Sequence, residues 1–412
     1  GEAVFSVASP VSESDEDEGP QIARKPLKPK RSVKDIQFNL KPKAVKAHLD
    51  RFIIKQGEAK KALSIAICDH FNHIKAAQEG TSVHYSKQNV IMVGPTGVGK
   101  TYLIKCIAEL IGVPFVKSDA TKFTETGYQG GDVEDLVRQV YAKADESVEL
   151  AEYGIIYLDE IDKIAGAESK FGKDVSGRGV QTNLLKLMEE TDVSIRPPWD
   201  INSQIKQMMT NQSEAPETIS TKHILFIVSG AFHGLDDITR SRLEGSKFGF
   251  ERSQRDVDED EVTQSISTAD FIKFGLEPEF VGRLPVRVAC TSLKEDDLYT
   301  ILTQSEGSLL HQFIDSFRLY GIDVLITDPA LRKIAGLAHL ENTGARGLGT
   351  IFEQLFREFK FELPSSNVRQ FVITKEMIDT PDKVLSRLLK NPLPFEQDFS
   401  NELVRRFELS LA

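Results

Sequence analysis

The sequence predicts an α/β protein: a parallel sheet with helices on both faces, followed by a smaller, mainly helical part. Three observations lead there. Short apolar runs at 89–93, 114–116, 154–158, 224–228 and 286–289 alternate with amphipathic stretches near 100–111, 133–151 and 180–190. Strands that read as continuous apolar runs are buried on both faces, which is the habit of parallel sheets wrapped by crossover helices. A glycine-rich string, GPTGVGKT at 94–101, stands between the first of these strands and the first of these helices. After about residue 293 the pattern turns helical, with Leu348, Ile351, Phe352, Leu355, Phe356 and Phe359 along one helix face and room for one or two short strands.

The bulk properties bound this reading. A chain of 412 residues is too long for one ordinary core. The expected division is a disordered tail over 1–40, a large domain over 41–292, a small mainly helical domain over 293–385 and a C-terminal extension over 386–412. The tail carries an acidic run at 12–18 and a Pro- and Lys-rich run at 24–31, with little apolar surface to bury. From Leu49 onward Phe52, Ile53, Ala62, Leu63, Ala66 and Ile67 recur at helical spacing. Polar insertions at about 195–222 and 251–268 read as mobile loops. Hydrophobic residues at 40% and charged residues at 27% describe a globular protein.

Charge and apolar length exclude whole classes of partner. The net charge of −11, from 62 acidic and 51 basic residues, gives no general attraction to nucleic acid or anionic lipid. The apolar runs at 89–93 and 224–228 fall far short of the roughly 20 residues that cross a bilayer, so no membrane partner is expected. No basic segment followed by an apolar run opens the chain, which points to the cytoplasm. The three cysteines, Cys68, Cys106 and Cys290, form no CxxC pair and read as small buried hydrophobes. His70 and His73 stand three apart on a helix without a third ligand, so no metal is expected there.

Chemistry is concentrated in two strings. The GxxxxGK[ST] pattern, placed after a strand and opening a helix, makes a phosphate cradle of backbone N–H groups at the positive end of the helix dipole. The contact residues are Gly94, Pro95, Thr96, Gly97, Val98, Gly99, Lys100, Thr101 and Tyr102, with Lys100 reaching the outer phosphates and the Thr101 hydroxyl on magnesium. GIIYLDEID at 154–162 is an apolar strand that ends in carboxylates at the carboxyl edge of the sheet, where such folds bind ligands. Asp159 suits magnesium, and Glu160 suits orienting or deprotonating an attacking water. ATP and magnesium are the cofactors these strings imply.

These two strings, together with GARGL at 344–348 and PEFVGRLP at 278–285, resemble the ClpX-type AAA+ protein unfoldases over about 42–364. The last two motifs are the more specific. The resemblance implies an AAA+ P-loop NTPase large domain with a helical small domain, assembled as a homohexamer with ATP between subunits. It also implies unfolded or tagged protein substrates and a ClpP-like peptidase partner. By it, Arg283 is the finger that reaches a neighbour's ATP, and Arg346 senses nucleotide from the small domain of its own subunit; a guanidinium supplies the fixed charge and several donors that both roles need. Ser229 falls where the family senses phosphate from the sheet, and Ile53 with Ile54 where it holds adenine. Tyr128, in GYQG at 127–130, occupies the pore-loop position that grips substrate, and SGRG at 176–179 resembles a second pore loop. Phe248, Gly249 and Phe250 match the loop tripeptide that docks on the peptidase.

The departures from the family are as specific. Lys55 follows Ile54 where a glycine is usual, and Gln129 follows Tyr128 where an aliphatic residue is usual. With three cysteines, the family's four-cysteine N-terminal zinc module is not expected in this chain. PPWDINSQIK at 197–206 replaces a basic substrate-recognition loop. The HslU-type relatives carry a large inserted domain, for which the roughly 70 residues between Asp159 and Ser229 leave little room. The alternative function is a protein-remodelling chaperone that works without a peptidase, and a third is a ring scaffold that binds ATP without turning it over.

Overall fold

Five apolar segments become five parallel strands of one sheet, in the order β2-β3-β8-β1-β9. They are β1 (Val90–Val93), β2 (Phe115–Asp119), β3 (Ile155–Asp159), β8 (Leu225–Gly230) and β9 (Val286–Ala289). The intervening β4 (Glu168–Ser169) pairs antiparallel with β5 (Gly172–Lys173), and β6 (Asp192–Ser194) pairs antiparallel with β7 (Thr218–Ser220). In this computed structural model the described residues are 36, 39–80, 86–123, 132–166, 168–169, 172–173, 175–195, 218–245 and 259–411. Tyr128 with the rest of 127–130, and the 248–250 tripeptide, lie outside them.

Every residue of β1 and β8 is buried, as expected of strands covered on both faces. The register sets Met92 beside Ser229, and Val228 beside Leu158, so the carboxyl ends of β1, β8 and β3 finish side by side. Around the sheet lie α1 (Pro42–Phe52), α2 (Gly57–Gln78), α3 (Lys100–Ile111), α4 (Asp135–Lys143), α5 (Val148–Ala151) and α6 (Val175–Met188). They are followed by α7 (Leu235–Gly245), α8 (Glu259–Gln264), α9 (Thr268–Phe274) and α10 (Pro278–Gly282). Among the described residues no helix is long and apolar enough to cross a membrane.

The structure refines three sequence expectations. The stretch 133–151 is not one helix, because Asp145 and Glu146 take left-handed φ values of 52° and 60°, and Ser147 then caps α5 by accepting from the Leu150 N–H. The insertion at 251–268 is not loop throughout: α8 occupies 259–264 and buries Val262. The segment 176–179, read as a pore loop, lies in the first turns of α6, where Arg178 pairs with Glu277 at 3.0 Å.

Beyond the sheet come α11 (Glu295–Gln304), α12 (Leu309–Arg318), α13 (Asp328–Leu340), α14 (Ala345–Glu362), α15 (Lys375–Asp379), α16 (Pro381–Lys390) and α17 (Leu393–Leu411). With them is a parallel pair of strands, β10 (Asp323–Ile326) and β11 (Gln370–Ile373). Their core is aromatic. Phe313 stands 4.8 Å from Phe352 and 5.0 Å from Phe356, and Phe317 stands 5.7 Å from Phe371, within the range where ring pairs attract beyond simple burial. The face expected from Leu348 to Phe359 is this one, with Leu355 half-buried at its margin.

The N-terminal helices are tied to both parts. Between α1 and α2, Lys55 and Gln56 take φ values of 60° and 53°, the left-handed region that glycine occupies most easily. Lys55 holds this turn as a lysine because its ammonium donates to the Ser292 carbonyl at 2.7 Å and lies 3.3 Å from Asp297. The Gln56 side-chain amide bonds the Thr291 backbone twice, at 2.8 and 2.9 Å. Arg51 grips Glu306 with two bonds of 2.7 Å.

A polar clasp fixes α9 to α7. Asp270 is 2% exposed and accepts from Arg242 Nε at 2.9 Å, Arg242 Nη2 at 2.8 Å, the Ser267 N–H at 2.8 Å and the Ser267 hydroxyl at 2.9 Å. Burial alone would raise its pKa, but these donors prevail and hold it down at about 2. The carboxylate therefore stabilises the fold above the ordinary aspartate range, and that stability is lost as pH falls toward 2. Asp270→Asn is expected to lose about 2–3 kcal/mol at pH 7 in denaturant melts. The gap from wild type should narrow between pH 4 and pH 2; a gap that stays constant over that range would contradict the clasp.

Candidate functional site

The loop between β1 and α3 is bent so that the backbone itself becomes the binding surface. Gly97 has φ +74°, and a Cβ there would lie 2.0 Å from the Thr343 carbonyl oxygen, so only glycine fits. The same approach brings the Ala345 N–H onto the Gly97 carbonyl at 2.9 Å. The loop is thus in direct contact with the start of α14. Gly94 meets the residue after β9 nearly as closely: a Cβ would lie 2.3 Å from the Cys290 carbonyl oxygen.

Lys100 opens α3 and is 8% exposed. Its ammonium donates to the carbonyls of Gly94 at 2.5 Å and Pro95 at 2.8 Å, which holds it in the mouth of the loop. Burial pulls it below the ordinary lysine pKa, with Arg346 acting in the same direction and Asp159 and Asp162 opposing.

At the carboxyl edge, side chains from four elements converge. The Ser229 hydroxyl donates to Asp159 Oδ1 at 2.7 Å, the Tyr157 hydroxyl meets Ser229 Oγ at 2.6 Å, and Thr101 Oγ1 lies 3.3 Å from the Tyr157 hydroxyl and 3.4 Å from Asp159 Oδ2. From β2, the Lys117 ammonium reaches Asp159 Oδ2 at 3.3 Å and Thr101 Oγ1 at 3.4 Å. Burial works to raise the Asp159 pKa, but the Ser229 bond and the Lys117 charge outweigh it and keep the carboxyl below its usual value. Burial likewise pushes the Tyr157 phenol up, so it remains a neutral donor. Glu160 follows with φ +57°, a left-handed turn that swings its side chain out of the strand direction into an exposed position.

One cleft of about 570 Å³ gathers Thr96, Gly97, Lys100, Thr101, Asp159, Glu160 and Arg346. Gly99 and Tyr102 line it as well. A neighbouring hollow of about 630 Å³ shares Thr96 and adds Pro95, Val98, Leu293, Leu298, His339 and Gly344. Ile53 is buried and Ile54 half-buried at the head of the turn that Lys55 anchors to Ser292, a residue of that hollow's wall. Arg283 is elsewhere: at the end of α10 it is more than half exposed and pairs with Glu189 at 2.5 Å.

The donor set has a definite preference. Thr101 and Asp159 offer two hard oxygens 3.4 Å apart. That matches magnesium, which takes one or two protein oxygens and completes its shell with phosphate and water. Together, a glycine loop at a helix N-terminus, a buried lysine, a two-oxygen cation position, an exposed carboxylate and an arginine are what phosphoryl transfer requires.

The predicted nucleotide-loop residues, Asp159, Glu160, Ser229 and Arg346 come together here, whereas Arg283 does not. Lys117 and Tyr157 are participants that the sequence reading missed. The strand expected to stop at 116 runs to Asp119, and Phe115, Lys117 and Asp119 alternate on the face that Tyr157 and Asp159 share in register. A lysine at an alternate position of the strand that follows α3, paired in the sheet with the acidic strand β3, was the available signal.

Known proteins resemble this chain over most of its length. The model of the AAA domain (Cdc48 subfamily) matches residues 85–287. The ATP-dependent Clp protease ATP-binding subunit ClpX of Borrelia duttonii is 43% identical over 342 residues, covering 82% of this chain and 78% of that protein. ATP-dependent Clp protease ATP-binding subunit ClpX 3 of Methylococcus capsulatus is 37% identical over 367 residues, covering 85% and 83%. The protein of the same name, ClpX, from Treponema denticola is 38% identical over 343 residues, covering 82% and 81%.

The contact between Gly97 and α14 generates a direct test. Gly97→Ala combines a left-handed backbone with a clash against a backbone carbonyl, and should weaken binding of a fluorescent ATP analogue by about tenfold or more. Binding within about twofold of wild type would show that the close approach is not needed for the site.

Proposed function

The chain belongs to the ClpX family of AAA+ ATPases, and from that premise we propose that it is an ATP-driven protein unfoldase, a homohexamer that threads unfolded or tagged proteins into a ClpP-like peptidase. The observation that carries the reading is the convergence of Lys100, Thr101, Asp159, Glu160 and Arg346 on one cleft. The relatives are named as ATP-binding subunits of a Clp protease, which supports the peptidase partner. Three buried free thiols, Cys68, Cys106 and Cys290, suit a reducing, cytoplasmic setting.

In the proposed chemical step, water attacks the terminal phosphorus of ATP. A new P–O bond forms, the bond to the bridging oxygen of ADP breaks, and Glu160 orients the water and takes its proton. Glu160 is suited to this because it is exposed to the cleft and free of the partners that hold Asp159. Lys100 and Arg346 offset the charge that builds on the phosphoryl oxygens. Ser229, fully buried, fixes Asp159 through its 2.7 Å bond, and its proposed phosphate sensing acts through that carboxylate. Thr101 and Asp159 would hold magnesium, which draws charge from the phosphate oxygens when bound. The hollow walled by Val98, Leu293 and Leu298 suits the base, and Ile53 and Ile54 are proposed to hold the adenine. Arg283, outside its own cleft and exposed, is available to a neighbouring subunit's ATP.

Tyr128 is proposed to grip substrate in the axial channel, and Phe248, Gly249 and Phe250 to dock on the peptidase. A variant with Phe248→Ala and Phe250→Ala is expected to lose ATP-dependent degradation while its ATPase rate and its unfolding of a fluorescent reporter stay near wild type. Anchors of this kind often contribute about 2 kcal/mol each, and multivalency around a ring amplifies their loss. Tyr128→Ala should damage unfolding and degradation together. If the double variant degrades substrate as wild type does, the docking assignment fails; if it loses ATPase activity, the residues belong to the folded core instead.

A further inference from the structure

Lys117 does not belong to the phosphate loop or to the acidic strand end, yet its ammonium lies 3.3 Å from Asp159 Oδ2 and 3.4 Å from Thr101 Oγ1. Those two oxygens are themselves 3.4 Å apart, and they are the pair with which the chain would hold magnesium. The ammonium also lies 6.0 Å above the ring of Tyr157, the residue beside it in register. A lysine in this position is more than a solvated surface charge. It donates to the same oxygens that a divalent cation needs, and two cations cannot share them without strong repulsion.

We infer that Lys117 is a built-in competitor of the metal: it pairs with Asp159 and Thr101 as a displaceable counter-cation, and it thereby raises the magnesium concentration at which the site fills. The inference rests on the assignment of Thr101 and Asp159 to magnesium in the preceding section. Displacement is feasible because the Lys117 side chain is 43% exposed and the lysine stem is flexible, so the ammonium can swing into water when a metal takes its place. The competition is accordingly moderate, of the size of a half-exposed ion pair. The pairing also has a use of its own. It keeps the Asp159 carboxylate compensated and pointed at Thr101, so the two oxygens remain preorganised for the cation that replaces the lysine.

The test uses the full chain, saturating AMP-PNP and Mn²⁺ as the probe, with free Mn²⁺ followed by electron paramagnetic resonance. Lys117→Met removes the charge and keeps an unbranched stem on an exposed strand position, so it should fold as wild type does. Its nucleotide complex is expected to bind Mn²⁺ about three- to tenfold more tightly, the range given by the loss of one partly screened like-charge neighbour. Lys117→Arg keeps the charge and should match wild type. A change in Lys117→Met of less than about threefold, a weakening, or an equal tightening in Lys117→Arg would overturn the inference. Thr101→Ala separates this from the parent assignment. If it binds Mn²⁺ as tightly as wild type, the magnesium position is wrong and the competitor role falls with it; if it weakens binding while Lys117→Met has no effect, only the role of Lys117 falls.

Discussion

A carboxylate half-buried at the end of a parallel sheet must be compensated, and the way Asp159 is compensated organises the site. Ser229 from β8 takes one oxygen at 2.7 Å, while Lys117 from β2 and Thr101 from α3 stand within 3.4 Å of the other. Each of these partners comes from a different element, so the carboxylate is oriented only when β2, β3, β8 and α3 are all in place. The chain makes that condition hold through the strand order, which sets β8 between β1 and β3 and so places Ser229 between the phosphate loop and the acidic edge. Tyr157, buried and un-ionised, ties the same group together from below through its 2.6 Å contact with Ser229. Glu160 escapes this network because its backbone turns left-handed at φ +57°. One carboxylate is therefore fixed to hold a cation and its neighbour is left free to handle water.

The second organising contact joins the two parts of the chain. Gly97 and Gly344 pack backbone to backbone, and the Ala345 N–H donates to the Gly97 carbonyl at 2.9 Å. Arg346 reaches the cleft because α14 begins at that contact. Gln56 on Thr291 and Arg51 on Glu306 add further contacts, which fasten the N-terminal helices to the segment after β9 and to the helical part. Through Gly97 the phosphate loop is joined directly, backbone to backbone, to the helix that carries Arg346.

Much of this was legible in the sequence, and the reasons are specific. The string at 94–101 and the carboxylates at 159 and 160 declare themselves because phosphate chemistry demands glycine, lysine and acid at fixed places beside a strand. The strands were legible because each contains a short, largely apolar run, and the aromatic face of α14 because its period is helical. What escaped depended on tertiary contact. Lys117 was hidden because the strand expected over 114–116 continues through alternating residues to Asp119. The division of 133–151 turned on two acidic residues in left-handed backbone, a conformation that propensity does not foretell. Lys55, in a place where the family has glycine, was read as a departure; its φ of 60° and its bonds to Ser292 and Asp297 explain how a lysine fills a glycine conformation. Arg283 and Arg346 were visible only through the family resemblance, since nothing in an isolated arginine announces which cleft it serves.

The central claim is that one cleft binds ATP through the loop at 94–101 and hydrolyses it with Glu160. The most direct measurement compares nucleotide binding and steady-state phosphate release in Glu160→Gln. Binding of a fluorescent ATP analogue should stay within about twofold of wild type, because the phosphate cradle, Lys100 and Asp159 are untouched. Phosphate release should fall by about a hundredfold or more, because an amide cannot take the proton of the attacking water. Turnover within a few-fold of wild type, with binding intact, would contradict the assignment of Glu160 and with it the account of how this site works.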